Sequence, residues 1–174
     1  MNEFIQNNFS DSIDNSSYKY LHSQMVYNIL KYLCGYVNNE TENYFLFNGV
    51  KEGEYKKWRT CGKLANQCNY SNGKTDGESK LWYENGQLFR QYAFVNGKRE
   101  GEYKSWHRNG QLSSQRTYIN DKIEGECKQW HKNGQLGVQC FYVNGMREGE
   151  YKGWDNDGQV DDQCFYVNGV KQCL

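Results

Sequence analysis

Residues 96–119 read NGKREGEYKSWHRNGQLSSQRTYI and contain the pattern that decides the fold. Two Asn-Gly pairs, Asn96-Gly97 and Asn109-Gly110, bound short runs of residues that favour β-strands. Asn-Gly is the strongest short-range signal for a β-hairpin because both residues tolerate a positive φ. The stretch therefore predicts a hairpin with strands near residues 102–107 and 111–119.

This hairpin pattern recurs every 24 residues along the chain. The tryptophans, the loop glycines and four leucines keep the period, at Trp58, Trp82, Trp106, Trp130 and Trp154, at Gly62, Gly86, Gly110, Gly134 and Gly158, and at Leu64, Leu88, Leu112 and Leu136. A fixed period of this size predicts a repeat architecture in which each unit packs on the next. We expect units 1 to 5 at 48–71, 72–95, 96–119, 120–143 and 144–167, and a partial unit at 168–174.

The register of each hairpin depends on its loop. A three-residue loop over 108–110 would place Trp106 opposite Leu112 and would put Tyr118 on the same face, together with Glu102, Lys104, Ser114 and Arg116. A two-residue Asn-Gly loop would instead pair His107 with Leu112 and move Trp106 to the other face. The first alternative is favoured because it gathers the large side chains into one narrow core, made of the tryptophan and leucine rows.

The ends of the chain depart from the repeat. Residues 1–15 are rich in Asn, Ser and Asp and are expected to be mobile. Apolar residues at Leu21, Met25, Ile29 and Leu33 predict a helix over 18–36, within a helical cap at 16–43. Residues 44–47 match a second strand and predict an orphan strand at the start of the repeat region, 44–174. The fold class is thus all-β: an elongated, single-layer antiparallel meander, or solenoid, of stacked hairpins with a short N-terminal helical cap.

Composition restricts the function classes. The 21 Lys and Arg balance the 21 Asp and Glu, so the net charge is zero, which argues against a nucleic-acid partner. Aromatic residues make up 16% of the chain, which argues against disorder. Residues 1–10 lack a secretory signal, so we expect an intracellular protein, in the cytoplasm or in a virus-infected host cell, and not a secreted one.

The unit resembles the MORN repeat. Gly101-Glu102, Trp106 and Asn109-Gly110-Gln111-Leu112 carry the match, which extends over residues 44–169. The pattern is most similar to the variant found in antitoxin-like bacterial proteins and giant-virus proteins. It departs from the standard motif by having Glu four residues before each Trp, as at Glu102. The resemblance implies stacked hairpins and a scaffolding or interaction role, and it implies no reaction.

Groups capable of chemistry are few. His107 and His131 share one repeat position, two strands apart, and are expected to face solvent without forming a metal site. Cys68, Cys140 and Cys164 share another position, and the neighbours Cys140 and Cys164 are expected about 10 Å apart in the stack, too far for a disulfide. We expect buried reduced thiols there, and an exposed one at Cys173. No nucleophile, Walker loop or Rossmann loop is evident because the glycine spacings belong to turns. The sequence predicts no enzyme, catalytic residue, cofactor or metal.

Three functions remain open from the sequence. The first is a protein-interaction scaffold with an unidentified protein partner, and the candidate contacts are Tyr55, Tyr83, Tyr103, His107, His131 and Tyr151. The second is peripheral binding to anionic membrane lipid, and the third is an antitoxin-like inhibitor of a partner protein. Self-association through the C-terminal edge is a further expectation.

Overall fold

A computed structural model describes residues 34–172, which form one open antiparallel sheet of 14 strands. The strands are β1 Cys34–Asn38, β2 Glu42–Phe47, β3 Val50–Trp58, β4 Leu64–Ser71, β5 Lys74–Trp82, β6 Leu88–Val95, β7 Lys98–Arg99, β8 Gly101–Trp106, β9 Leu112–Ile119, β10 Lys122–Trp130, β11 Leu136–Val143, β12 Met146–Trp154, β13 Val160–Val167 and β14 Val170–Gln172.

Each strand pairs with its neighbours in sequence, except that β7 and β8 both pair with β6 and not with each other. The described residues contain no helix. The predicted all-β meander of stacked hairpins is confirmed. The sheet is open, so the chain does not coil back on itself as the word solenoid implies.

Two-residue turns join one unit to the next. Asn96 and Gly97 have φ of 53° and 84°, the left-handed pair that a type I′ turn requires. Unit 4 departs from the rule because Asp121 replaces glycine and still adopts a φ of 69°. Its carboxylate accepts bonds from the Arg99 backbone N–H and Nε at 3.0 and 2.9 Å, which helps to hold this conformation.

Three-residue loops close the hairpins at the opposite edge. In unit 3 the His107 N–H donates to the Gln111 carbonyl at 2.8 Å, and the Gly110 N–H donates to the His107 carbonyl at 2.9 Å. Trp106 lies opposite Leu112, which confirms the three-residue alternative.

A β-bulge next to the loop changes the prediction of which residues share a face. Ser105 pairs with Ser114 while Trp106 pairs with Leu112, so Ser113 is the extra residue. The bulge reverses the alternation of side chains along β9. Tyr118, Ser114 and Arg116 therefore lie on the face opposite Trp106, and their predicted placement beside it was wrong.

A second set of bulges occupies the Gly-Glu positions, which the sequence interpretation had assigned to turns. Gly101 and its equivalents have φ between 73° and 83°. The pairing of their strand with the preceding strand shifts register beside them. These glycines allow each first strand to take a left-handed residue without steric cost.

The sheet thus has two distinct faces. The Trp face carries Trp106, Leu112, Glu102, Lys104 and Gln115 and their equivalents in the other units. The Tyr/Cys face carries the residues between them, at the positions of Tyr103, Ser105, Ser114, Arg116 and Tyr118.

The N-terminal prediction needs two corrections. Residues 34–38 form β1, so the predicted helix over 18–36 is wrong at its end, and the remainder of that helix and of the tail lies outside the described residues. Residues 44–47 belong to β2, which pairs with both β1 and β3 and is not an orphan strand.

Candidate interaction surface

A polar cluster of three residues repeats along the Trp face. In unit 3, Lys104 Nζ lies 2.8 Å from Glu102 Oε2, and Gln115 Nε2 donates to Glu102 Oε1 at 2.7 Å. The other four units contain the same bonds, at Glu54–Lys56–Gln67, Glu78–Lys80–Gln91, Glu126–Lys128–Gln139 and Glu150–Lys152–Gln163. The glutamine row therefore ties the two strands of each hairpin together.

Hydrogen bonding within these clusters favours the charged carboxylate. The bond from Lys104 lowers the pKa of Glu102 below its ordinary value of 4.5, against a smaller opposing effect of burial. Lys56 and Lys128 act in the same way on Glu54 and Glu126. These side chains are solvated, so each pair contributes little to stability on its own.

The tryptophan and leucine rows flank the clusters near the three-residue loops. All nine predicted core residues of these rows are half-buried. The most buried large side chains instead lie on the Tyr/Cys face, among them Tyr55, Tyr103 and Tyr118. The predicted core of Trp and Leu rows is therefore packed on one face of the sheet only, and the buried tyrosines are packed on the other face.

Long basic side chains cover the tyrosine rings. Arg116 Cζ lies 4.4 Å from the centre of the Tyr103 ring, and Lys51 Nζ lies 4.3 Å from that of Tyr55. Arg147 covers Tyr151 at 5.0 Å. Cation–π attraction and the apolar stems of these residues explain how a single-layer sheet buries aromatic rings.

The residue after the tryptophan links each of units 1 to 4 to the next unit. His107 Nε2 lies 2.7 Å from the Trp130 carbonyl, and His131 Nε2 lies 2.7 Å from the Trp154 carbonyl. Since a carbonyl only accepts, Nε2 carries the proton. The histidines are half-buried, so the prediction that they face solvent was wrong. Arg59 and Tyr83 form the equivalent bonds in units 1 and 2.

The six residues predicted to contact a partner lie within the packing of the sheet. Tyr55 and Tyr103 are buried, and Tyr83, His107 and His131 are engaged with tryptophan carbonyls. Tyr151 is half-buried. Their rings therefore pack within the sheet, and a direct contact between them and a partner stays a prediction.

The two-residue turns between units form one edge of the sheet, the Asn-Gly edge. An exposed apolar patch lies along this edge on the Trp face of units 4 and 5. Phe141 is 44% exposed and Val170 is 63% exposed. The patch consists of Phe141, Val143, Met146, Phe165, Val167 and Val170. Strand pairing places Val143 beside Met146 and Val167 beside Val170, so the members are contiguous in pairs.

The sequence contained a signal for this patch that the repeat consensus obscured. Units 1 to 3 carry Asn69, Ala93 and Thr117 where units 4 and 5 carry Phe141 and Phe165. Units 4 and 5 therefore expose a large aromatic side chain at a position where units 1 to 3 carry a small or polar one.

A lysine row continues the same edge into the earlier units. Lys74, Lys98 and Lys122 occupy the repeat position of Met146 and Val170, are exposed, and form no ion pair among the described residues. Nearby Glu100 and Glu124 accept bonds from the Asn120 and Asn144 backbone N–H groups at 2.8 and 2.7 Å. Equivalent row members lie about 10 Å apart because two strands separate them.

Three observations concern small ligands, metal ions and membranes. Between units 2 and 3 the Trp face has an open groove of about 370 Å³ bordered by charged side chains, including Glu78, Glu102 and Lys104. In residues 34–172, no group of three or more His, Cys, Asp or Glu side chains is placed to hold a metal ion. None of the described segments is a helix long and apolar enough to cross a bilayer.

Stacked hairpins with identical clusters define a β-hairpin repeat protein, and the comparison with known families agrees. The family model described as the MORN repeat variant matches residues 75–96, 99–120, 123–144 and 147–168, which make up half of the chain. The chain belongs to this MORN repeat family. The match covers units 2 to 5, and unit 1 has the same strand bounds and polar cluster.

Repeats of this family are typically protein or lipid interaction modules, and the family is not known as enzymatic. No curated protein matches the chain.

Proposed function

We propose that the chain is a non-enzymatic interaction module that binds a partner protein through the Asn-Gly edge of its Trp face. The observation that carries the proposal is the exposed apolar patch on units 4 and 5. Contiguous exposed apolar side chains are uncommon on a monomeric surface and are typical of protein contacts.

The edge also suggests the chemistry of the partner. The apolar patch continues into Lys74, Lys98 and Lys122, so one strip joins an apolar half to a half in which lysines lie beside the exposed Val95 and Ile119. The strip is about 40 Å long, given four steps of two strands each. A partner segment with apolar side chains at one end and acidic side chains at the other would complement it.

Bonds between neighbouring turns make this strip rigid, which supports a role in docking. Turns of successive units are bonded to each other, as from the Gly97 N–H to the Thr75 carbonyl at 2.8 Å and from the Gly145 N–H to the Ile123 carbonyl at 2.9 Å. Little conformational entropy is lost when a preorganised surface binds.

Affinity purification from the source cells tests the proposal. We expect the wild type to retain a stoichiometric partner and the double variant Phe141→Ser, Phe165→Ser to lose it. The matched control changes the same repeat position in units 2 and 3, as Ala93→Ser and Thr117→Ser, and should retain the partner. Equal retention by the patch variant and the wild type would contradict the proposal.

Anionic lipid is the second candidate, and the lysine row is the observation that favours it. Each surface lysine adds about 1 kcal/mol of attraction to an anionic membrane, but the many Trp-face glutamates oppose it. Flotation with phosphatidylserine vesicles distinguishes the two candidates. Vesicle binding that is lost in Lys74→Glu, Lys98→Glu, Lys122→Glu would favour lipid over protein.

A further inference from the structure

Two cysteines face each other in the middle of the array. Cys127 on β10 is the direct partner of Cys140 on β11 across the hairpin of unit 4. Both side chains point to the Tyr/Cys face, and they are 1% and 3% exposed. Direct antiparallel partners have Cα atoms about 4.5 to 5.5 Å apart, which lies within the range that a disulfide spans.

The other buried cysteines provide internal controls. Cys68 and Cys164 occupy the same second-strand position as Cys140, but they lie opposite Tyr55 and Tyr151. Only unit 4 places one thiol against another in the part of the chain that the structure describes. The sequence interpretation compared Cys140 with Cys164 in the next unit and missed its partner within the hairpin.

Positive charge surrounds the pair. The hydrogen bond from the Cys140 thiol lowers the pKa of Cys127, burial opposes this effect, and the charges of Arg116 and Arg147 add to it. The same bond and burial raise the pKa of Cys140. One thiolate beside one thiol is the pairing that forms a disulfide through a sulfenic acid.

We propose that Cys127 and Cys140 form a reversible oxidation site, in which hydrogen peroxide converts the two thiols to a disulfide that ties β10 to β11. The Cys127 thiolate attacks one peroxide oxygen, the O–O bond breaks, and the departing hydroxide takes up a proton to leave as water. The sulfur of Cys140 then attacks the Cys127 sulfenic sulfur, the S–O bond breaks, and a second water leaves with the Cys140 proton. Two thiols are oxidised by two electrons, and one peroxide is reduced to two waters. A small neutral oxidant suits thiols that are so nearly enclosed.

The disulfide would fix the hairpin that carries part of the apolar patch. Phe141 follows Cys140 directly and points to the opposite face. Closing the segment from 127 to 140 restricts the unfolded chain, so the oxidised hairpin should resist unfolding. The oxidation site does not depend on the proposed function.

Peroxide treatment of the whole folded chain tests the site. Cys34, Cys61 and Cys173 are first replaced by Ser so that the four buried thiols remain. We expect oxidation to remove two of these four thiols from alkylation after denaturation. Trypsin should then release residues 123–128 joined to residues 133–147, and dithiothreitol should separate them.

Matched variants assign the bond. Cys127→Ser introduces the residue that unit 2 has at Ser79, and it should abolish the cross-link without unfolding the chain. Cys164→Ser should leave the cross-link intact, and the oxidised parent should melt at a higher temperature than Cys127→Ser. Four free thiols after treatment, a cross-link through Cys68 or Cys164, or Cys127 sulfinic acid beside a free Cys140 would each overturn the proposal.

Discussion

The two faces of the sheet are made by the same hairpins but differ in how strictly they repeat. Near the three-residue loops, the Trp face carries the same Trp and Glu–Lys–Gln cluster in all five units. On the Tyr/Cys face, one position runs through Tyr55, Ser79, Tyr103, Cys127 and Tyr151. The Trp face thus keeps the residues that form the loops and the polar clusters, whereas the opposite face packs different side chains in different units.

Tyrosine and cation alternate along the Tyr/Cys face with a period of two units. Lys51, Arg99 and Arg147 accompany the tyrosines of units 1, 3 and 5, and Thr75 and Ile123 accompany the smaller Ser79 and Cys127. Lys51 and Arg147 cover Tyr55 and Tyr151 directly, whereas in unit 3 Arg99 covers Tyr118 and Arg116 covers Tyr103. This pairing explains why a face with irregular sequence remains buried.

The largest effect should come from comparing one large ring on each face. Tyr103→Ala removes a buried ring that stacks on Tyr92 at 5.9 Å and should cost about 3 kcal/mol of unfolding free energy. Trp106→Ala removes a half-buried ring and should cost about half as much, because less area leaves solvent on folding. Urea denaturation measures both. A larger loss for Trp106→Ala would show that the Trp face is the true core.

A substitution in the Asn-Gly turns should have the next effect. Gly145→Asp copies the unit 4 turn into unit 5, where Ile123 offers no guanidinium in the place of Arg99. The left-handed conformation should then cost about 1 to 2 kcal/mol. Thermal unfolding measures the loss. Its control, Asp121→Gly, removes both the strain and the Arg99 bond and should change the melting temperature less. A rise in melting temperature for Asp121→Gly as large as the fall for Gly145→Asp would contradict this.

The links between units should contribute somewhat less. His107→Ala leaves the Trp130 carbonyl without its side-chain donor and should cost about 1 kcal/mol. His107→Tyr restores the residue type that unit 2 uses at Tyr83, whose hydroxyl donates to the Trp106 carbonyl at 2.8 Å. Chemical denaturation of both variants checks the role. No difference between Ala and Tyr would mean that the bond is dispensable.

The polar clusters should give the smallest effect. Glu102→Gln should cost at most about 0.5 kcal/mol because the pair is exposed. Its pH dependence has a definite sign: the folded-state pKa is lowered, so the contribution is present above the unfolded value near 4.5 and is lost as the pH falls through the lower folded value. Carboxyl titration by NMR would contradict this if Glu102 titrated above 4.5.

Much of the fold could be predicted because Trp106, Asn109-Gly110 and Leu112 act locally. Their spacing fixes the turn, and the turn fixes the pairing of Trp106 with Leu112. The assignment of faces beyond Ser113 could not be predicted because one bulged residue reverses the alternation. The repeat consensus likewise drew attention to constant positions and away from Phe141 and Phe165, whose significance lies in their departure from it.

The candidate site was harder to predict from the sequence because it depends on which face of the sheet is covered. Tyr55 and Tyr103 were chosen as contacts because aromatic residues are common in interfaces, but their alternation with Glu and Lys did not reveal which face is covered. Coverage depends on Lys51, which lies four residues before Tyr55 on β3, and on Arg116, which reaches Tyr103 from the neighbouring strand β9. Cys127 and Cys140 became a pair only when the register of the hairpin was known.

Hydroxyl-radical footprinting of the native chain, read residue by residue by mass spectrometry, tests most directly which face is open. We expect rapid labelling of Phe141, Met146 and Phe165 and strong protection of Tyr55, Tyr103 and Tyr118. Protection of the patch together with labelling of these tyrosines would contradict the two-faced sheet and the docking surface placed on it.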